Sequence, residues 1–221
     1  MSLRIFTPRL FRFTTFSLRN YSTPGNKDLL AKLSNEINHE LENPIENPDW
    51  LQLFKSQNNW SIVDKPLHKE IQLKRTFNNE SISVLFSTDS LADNFENEFD
   101  EQDEPEQSPI AVSIIVQKEN AALEITANAQ DSTFFIDNVA FLKDPALALD
   151  DSANGDWTRR GYFTGPVFAE LDEALIEVFH KYIEERGLNA DLADFISNYV
   201  VYKEQAEYVL WLKNVSDFVK F

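Results

Sequence analysis

The chain has 221 residues, enough for one compact domain with tails, and 43% of them are hydrophobic, including 18 Phe. It has no Cys, which excludes disulfides, thiolate zinc sites and thiol nucleophiles, and no run near the ~20 apolar residues that a membrane span requires. Its 37 acidic and 20 basic side chains give −17, a field that repels nucleic acid and anionic lipid and attracts cationic partners.

Residues 1–21 contain Arg4, Arg9, Arg12 and Arg19, and no Asp or Glu precedes Asp28. Ser, Thr and Phe fill the intervals, and Arg9 and Arg12 interrupt what a secretory signal would keep apolar. An Arg-rich, hydroxyl-rich, acid-free start predicts a mitochondrial transit peptide. Arg19-Asn20-Tyr21-Ser22 has the form of a matrix-processing site, with Arg two residues before Tyr and cleavage after Tyr. Losing four Arg and no acid takes the net charge from −17 to −21 for an acidic domain over 22–221.

Over 27–42, Leu30, Leu33, Ile37 and Leu41 recur at helical spacing, and Pro44 and Pro48 predict the end of that helix. One narrow apolar stripe needs a partner to dock on. Beyond Trp60 the period falls to two. Ile71, Leu73, Arg75 and Phe77 alternate with polar neighbours, as do Ile82, Val84 and Phe86, with Asn78-Asn79 between the runs as a hairpin turn. Residues 109–117, 121–129 and 133–142 predict three more strands in an antiparallel meander.

An acidic loop at about 88–108 separates the second strand from the third. Residues 76–117 hold ten acidic side chains and no Lys or Arg, a composition that favours a solvated loop. A second acidic loop, DPALALDDSANGD, follows the fifth strand. Residues 170–186 predict an amphipathic helix with Leu171, Leu175, Val178, Phe179 and Tyr182 on one face and Gly187 as its cap. Asn189 caps a helix through about Tyr202, and a last helix over about 203–220 carries Tyr208, Trp211, Leu212, Val215, Phe218 and Val219. The fold class is α+β.

The residues that chemistry would need do not converge. His39, His68 and His180 lie on separate elements, and no nucleophile elbow, phosphate loop or dinucleotide fingerprint occurs. Asp100-Glu101-x-Asp103-Glu104 lacks the turn Gly and flanking helices of a calcium loop, so diffuse cation attraction is the reading there. No catalytic residue, cofactor or metal site is expected.

An ordered set of short segments resembles a known family. It comprises Trp60-Ser61-Ile62 before the hairpin, Asn79-Glu80 leading into Ile82, Val84 and Phe86, and the strand ending in Gln117-Lys118. The tail adds Phe179 to Gly187, Leu192 to Ile196, Glu204-Gln205-x-Glu207-Tyr208, Trp211-Leu212-Lys213 and Phe218-Val219-Lys220. From about residue 27 to its end the chain resembles the mitochondrial acidic matrix proteins, also called the mitochondrial glycoprotein family. The resemblance implies a strongly twisted antiparallel sheet flanked by one N-terminal and two to three C-terminal helices, in a doughnut-like homotrimer. It also implies that Leu30, Leu33 and Ile37 dock on Tyr208, Trp211, Leu212 and Val215 of the last helix. By the same resemblance the protein is a non-enzymatic matrix protein linked to mitochondrial ribosome assembly, translation and oxidative phosphorylation. Asn79-Glu80-Ser81 and Asn214-Val215-Ser216 fit the glycosylation acceptor pattern, but matrix proteins do not meet that machinery.

Two functions follow for testing. The first is an acidic scaffold or chaperone for basic clients such as mitochondrial ribosomal proteins, with no direct nucleic-acid binding. Its contacts would be Asp93, Glu96, Glu98, Asp100, Glu101, Asp103, Glu104 and Glu106, acting collectively because exposed ion pairs are individually weak. The second is an enzyme or enzyme subunit of respiratory metabolism, with acidity serving solubility alone. It predicts a concave pocket with convergent polar groups.

Overall fold

The computed structural model describes residues 23–42, 48–57, 59–92, 109–150 and 152–220. Helix α1 (Pro24–Glu42) starts where the Thr23 hydroxyl accepts from the Asn26 amide and Pro24 takes a first-turn position that needs no amide donor. Helix α2 (Asp49–Gln57) was not foreseen. Pro48, read from the sequence as a terminator, instead opens this helix, its carbonyl accepting from the Leu51 and Gln52 amides.

Six strands then form one sheet in the order β1-β2-β3-β4-β5-β6, every neighbouring pair antiparallel. They are β1 (Ser61–Asp64), β2 (Glu70–Phe77), β3 (Glu80–Ser87), β4 (Ile110–Lys118), β5 (Ala121–Gln130) and β6 (Thr133–Leu142). β1 is one strand more than the five expected. Three hairpins close through two-residue turns whose left-handed positions fall on Asn78, Glu119, and Asp131 with Ser132. Positive φ at both Asp131 and Ser132 gives the backbone twist that suits a tight β-hairpin. A register shift at Thr126/Ala127 against β6 makes Asp137 the extra residue of a bulge.

Period-two alternation divides the sheet. Ile71, Leu73, Ile82, Val84, Ile114, Ile125 and Ala127 point to one face and are fully buried. Leu51 and Phe54 of α2, together with the helices that follow the sheet, cover that face. The opposite face is polar, with Gln72 donating to the Ser83 hydroxyl at 2.8 Å and Asn128 to Asp137 at 2.9 Å. What is buried there includes a small apolar cluster of Ile115, Ala122, Leu142 and Ala148, with Ala140 and Ser83.

The second acidic segment is not a plain loop. After the short α3 (Asp89–Ala92) and the sheet come α4 (Pro145–Ala148) and α5 (Ala153–Arg159). Arg159 ties them together, donating to the carbonyls of Leu147 at 2.8 Å and Asp150 at 2.6 Å. A 3-10 turn (Phe168–Glu170) leads to α6 (Glu173–Glu185), which Asp172 caps by accepting from the Ala174 and Leu175 amides. The inward side of α6 differs from the expected face. Ile183 is buried and Ile176, Phe179 and Tyr182 pack on the core, while Leu175 and Val178 stay exposed. The α6 terminus sets this rotation. Arg186 lies over the Tyr182 ring at 3.4 Å and grips Glu80 of β3, Nε to Oε2 at 2.7 Å and Nη2 to Oε1 at 3.1 Å. Gly187, at φ +86°, permits the sharp exit, since a Cβ there would lie 1.7 Å from Arg75 Nη1.

The two final helices expected from the sequence are one, α7 (Ala190–Lys220), 31 residues long. Lys203, where the second of those helices was expected to begin, is buried within α7. Its ammonium meets Asp64 of β1 at 2.5 Å, Glu207 at 2.5 Å and the Lys65 carbonyl at 3.0 Å. A charge satisfied by tertiary partners looks like an interruption in sequence and is none in space. Helix α1 packs along the C-terminal half of α7.

Candidate functional site

The eight carboxylates read as the client-binding loop, Asp93, Glu96, Glu98, Asp100, Glu101, Asp103, Glu104 and Glu106, lie outside the described residues, as do Arg19, Tyr21 and Ser22 of the processing signal. The described neighbours fix where the acidic segment is anchored. It leaves the sheet after β3, through α3, and returns at β4, strands that pair directly with each other. Lys69 and Asp89 pair at 2.7 Å beside the departure point, and the ammonium's hydrogen bond and ion pair with Asp89 raise its pKa.

The residues assigned to helix packing fall along the α1–α7 seam with different exposures. Leu33 and Leu212 are buried, and Leu30, Ile37, Tyr208 and Val215 are half-buried. Tyr208 donates to Glu36 at 3.1 Å, and the Gln205 amide donates to Glu40. Trp211 departs from the expected role: it is 53% exposed, stacked on Tyr208 with ring centres 6.3 Å apart. The seam is narrow because α1 brings a single row of apolar residues, and Trp211 lies beside that row.

One titrating constellation couples the sheet edge to α7. Tyr199 donates to Asp64 at 2.9 Å, and burial, then this bond, push its hydroxyl far above the usual phenol range. Burial pulls Lys203 down, but hydrogen bonds to Asp64 and Glu207 outweigh it and leave the ammonium raised. These groups hold β1 to α7, and they are spent on each other. No group of three or more His, Cys, Asp or Glu positioned for a metal occurs among the described residues. His180 meets the Phe168 ring edge-on at 5.9 Å, away from the other two His.

Two depressions flank the Asp131-Ser132 turn. The larger, about 360 Å³, is a groove between α2 and the start of α7. From α2 it receives Trp50, Leu53, Phe54 and Gln57, and from α7 Asp191, Asp194, Phe195 and Asn198. Phe54 and Phe195 stack with centres 3.5 Å apart, and Trp50 meets Phe195 edge-on at 5.7 Å. Ser132 donates to Asp194 at 2.7 Å. The smaller, about 270 Å³, lies between that turn and α6 and includes His180, Glu184 and Asn189. Neither is lined by Lys or Arg. This groove was not foreseen, because its walls come from α2 and from residues about 140 positions away in the chain.

A six-stranded antiparallel meander with an N-terminal helix laid along a long C-terminal one, in a strongly acidic chain, defines the architectural class. The model of the mitochondrial glycoprotein family, MAM33, matches residues 33–219, and the chain belongs to that family. The mitochondrial acidic protein mam33 of Schizosaccharomyces pombe is 30% identical, over 94% of this chain and 85% of its own. An uncharacterized mitochondrial protein of Arabidopsis thaliana is 29% identical, over 99% of this chain and 84% of its own. The crystal structure of the Trypanosoma brucei p22 protein superposes with a TM-score of 0.75 at 26% identity, over 89% of this chain and 100% of that one. A hypothetical Leishmania major protein, described as a sequence homologue of human p32, shares the fold with a TM-score of 0.70 at 22% identity, over 88% and 99% of the two chains. The relatives' names support a mitochondrial location, and neither they nor the family's name is that of an enzyme.

Proposed function

We propose that this protein is a non-enzymatic acidic scaffold or chaperone of the mitochondrial matrix that holds basic client proteins, mitochondrial ribosomal proteins among them. Its support for ribosome assembly, translation and oxidative phosphorylation would follow from that holding. The observation that carries the reading is charge: ten acids and no Lys or Arg over 76–117, on a chain that reaches −21 once residues 1–21 are removed. Basic ribosomal proteins carry Lys and Arg tracts that misassociate before RNA neutralises them, and a polyanionic segment can follow such tracts without fixed geometry. Three copies would concentrate −63 in one particle.

Self-association into a homotrimer is part of the proposal. Apolar side chains left exposed on the single chain support it, with Phe163 81% exposed, Phe218 80%, Trp157 75% and Trp211 53%. Import by cleavage after Tyr21 is another part, supported by the Arg-rich, acid-free start. Crosslinking in intact mitochondria followed by purification of the adducts tests the function. The reading requires strongly basic proteins to dominate the adducts and the recovered chain to begin at or near Ser22. Adducts dominated by acidic or neutral metabolic enzymes would overturn it.

A further inference from the structure

We infer that the groove between α2 and the start of α7 is a docking site for a basic segment of a partner protein, one that places a large apolar side chain beside Lys or Arg. The inference rests on the reading of the protein as a binder of basic clients. It gives those clients a structured contact besides the acidic segment.

The groove's composition selects this occupant. Its floor is aromatic: Phe54 and Phe195 are buried in their stack, and Trp50 is half-buried above them. At about 360 Å³ it sits near the lower end of the ~300–1,000 Å³ range of ligand-holding clefts, which suits an anchoring side chain and an adjacent stem. Leu53 lies on the rim with half its surface in water, so an apolar group entering there removes further apolar area from solvent. Asp191 and Asp194, one helical turn apart, supply the rim on the α7 side, and Asn198 continues it a turn later.

Charge then decides the sign. An anionic ligand would face both carboxylates with no Lys or Arg among the lining residues. A metal ion would find only two carboxylates, one of which already accepts the Ser132 hydroxyl. A wholly apolar ligand would leave the acidic rim unused. Lys or Arg satisfies both carboxylates, and its aliphatic stem or guanidinium plane can lie on aromatic surface. The smaller depression past the Asp131-Ser132 turn adds Glu184 and again no Lys or Arg, so the acidic field continues along the same end of the molecule.

Calorimetry with the mature chain tests the site, using the amidated peptide Lys-Leu-Lys-Lys-Phe-Leu-Lys as probe and a control peptide with Ser in place of Leu and Phe. Three altered chains are compared: Asp191→Asn with Asp194→Asn, Leu53→Ser, and a chain whose eight loop carboxylates are neutralised. Circular dichroism confirms that each is folded. The double change should weaken the probe roughly tenfold and Leu53→Ser roughly threefold. The control peptide should respond to neither, and the groove effects should persist in the loop-neutralised chain. If neither groove change moves affinity while loop neutralisation abolishes it, the groove inference falls and the basic-client reading stands. If the unaltered chain binds neither peptide at low salt, both fall.

Discussion

The two halves of α7 are one helix held in two ways. From Leu192 to Lys203 it lies on the sheet, with Leu192, Ile196 and Val200 almost wholly removed from water and Lys203 fastened to β1. From Glu204 onward it packs mainly on α1, Glu207 also accepting from the Leu67 amide at 2.8 Å, and only Leu212 and Ser216 are buried there among the described residues. The first half is a core element. The second is one side of a two-helix seam whose polar links, Gln205 to Glu40 and Tyr208 to Glu36, orient the helices more than they stabilise them. Identical secondary structure therefore carries unequal stability, and the exposed side of the seam is free for contacts outside the chain.

Substitutions should separate the halves. The largest effect is expected at Ile196, fully buried under the sheet: Ile196→Ala should cost about 4 kcal/mol in denaturant unfolding of the whole domain. Lys203→Met should follow at about 3 kcal/mol, because it strands Asp64 and Glu207 without their cation. The same site sets a basic limit. The folded pKa of Lys203 is raised above 10.5, so its contribution is fully present below that pH and is lost as pH rises through the folded value. Tyr199, held protonated by burial and Asp64, adds a loss of the same sign. Chemical melts in alkali should thus fall more steeply for the natural chain than for Lys203→Met.

In the seam the effects should be smaller and local. Leu212→Ala should cost about 2 kcal/mol and appear first as faster amide exchange in α1 and late α7, with the sheet still protected. Trp211→Ala should cost the single chain no more than about 1 kcal/mol, since half of that side chain is already in water. If the seam faces another copy, Trp211→Ala should instead lower the particle mass seen by light scattering on dilution. An unchanged mass would remove Trp211 from the assembly surface.

Much of this architecture is legible in the sequence where one period governs an element. Leu30, Leu33 and Ile37 announce α1, and the alternations through Ile71–Phe77 and Ile82–Phe86 announce a hairpin whose register pairs Phe77 with Glu80. What escaped depended on distant partners. β1 has only four residues, and its inward Asp64 is polar because Lys203 and Tyr199 await it 135 or more positions later. The continuity of α7 across Tyr202 and Lys203 likewise rests on Lys203 finding Asp64 of β1. Leu175 and Val178 belong to an apolar stripe that is wider than the face α6 buries. The eight carboxylates of the acidic segment lie outside the described residues, and the groove at Trp50 and Phe195 joins helices whose proximity no local pattern encodes.

The most direct test of client binding by the acidic segment is calorimetric titration of a basic mitochondrial ribosomal protein into the chain from Ser22 onward across a salt series. A parallel series uses a chain in which Asp93, Glu96, Glu98, Asp100, Glu101, Asp103, Glu104 and Glu106 are changed to Asn or Gln. Screening contracts from ~10 Å at 0.1 M salt to ~3 Å at 1 M, so affinity for the natural chain should fall steeply between those limits. The neutralised chain should bind far more weakly at low salt and keep its melting temperature. Salt-insensitive binding, or full affinity after neutralisation, would contradict the account.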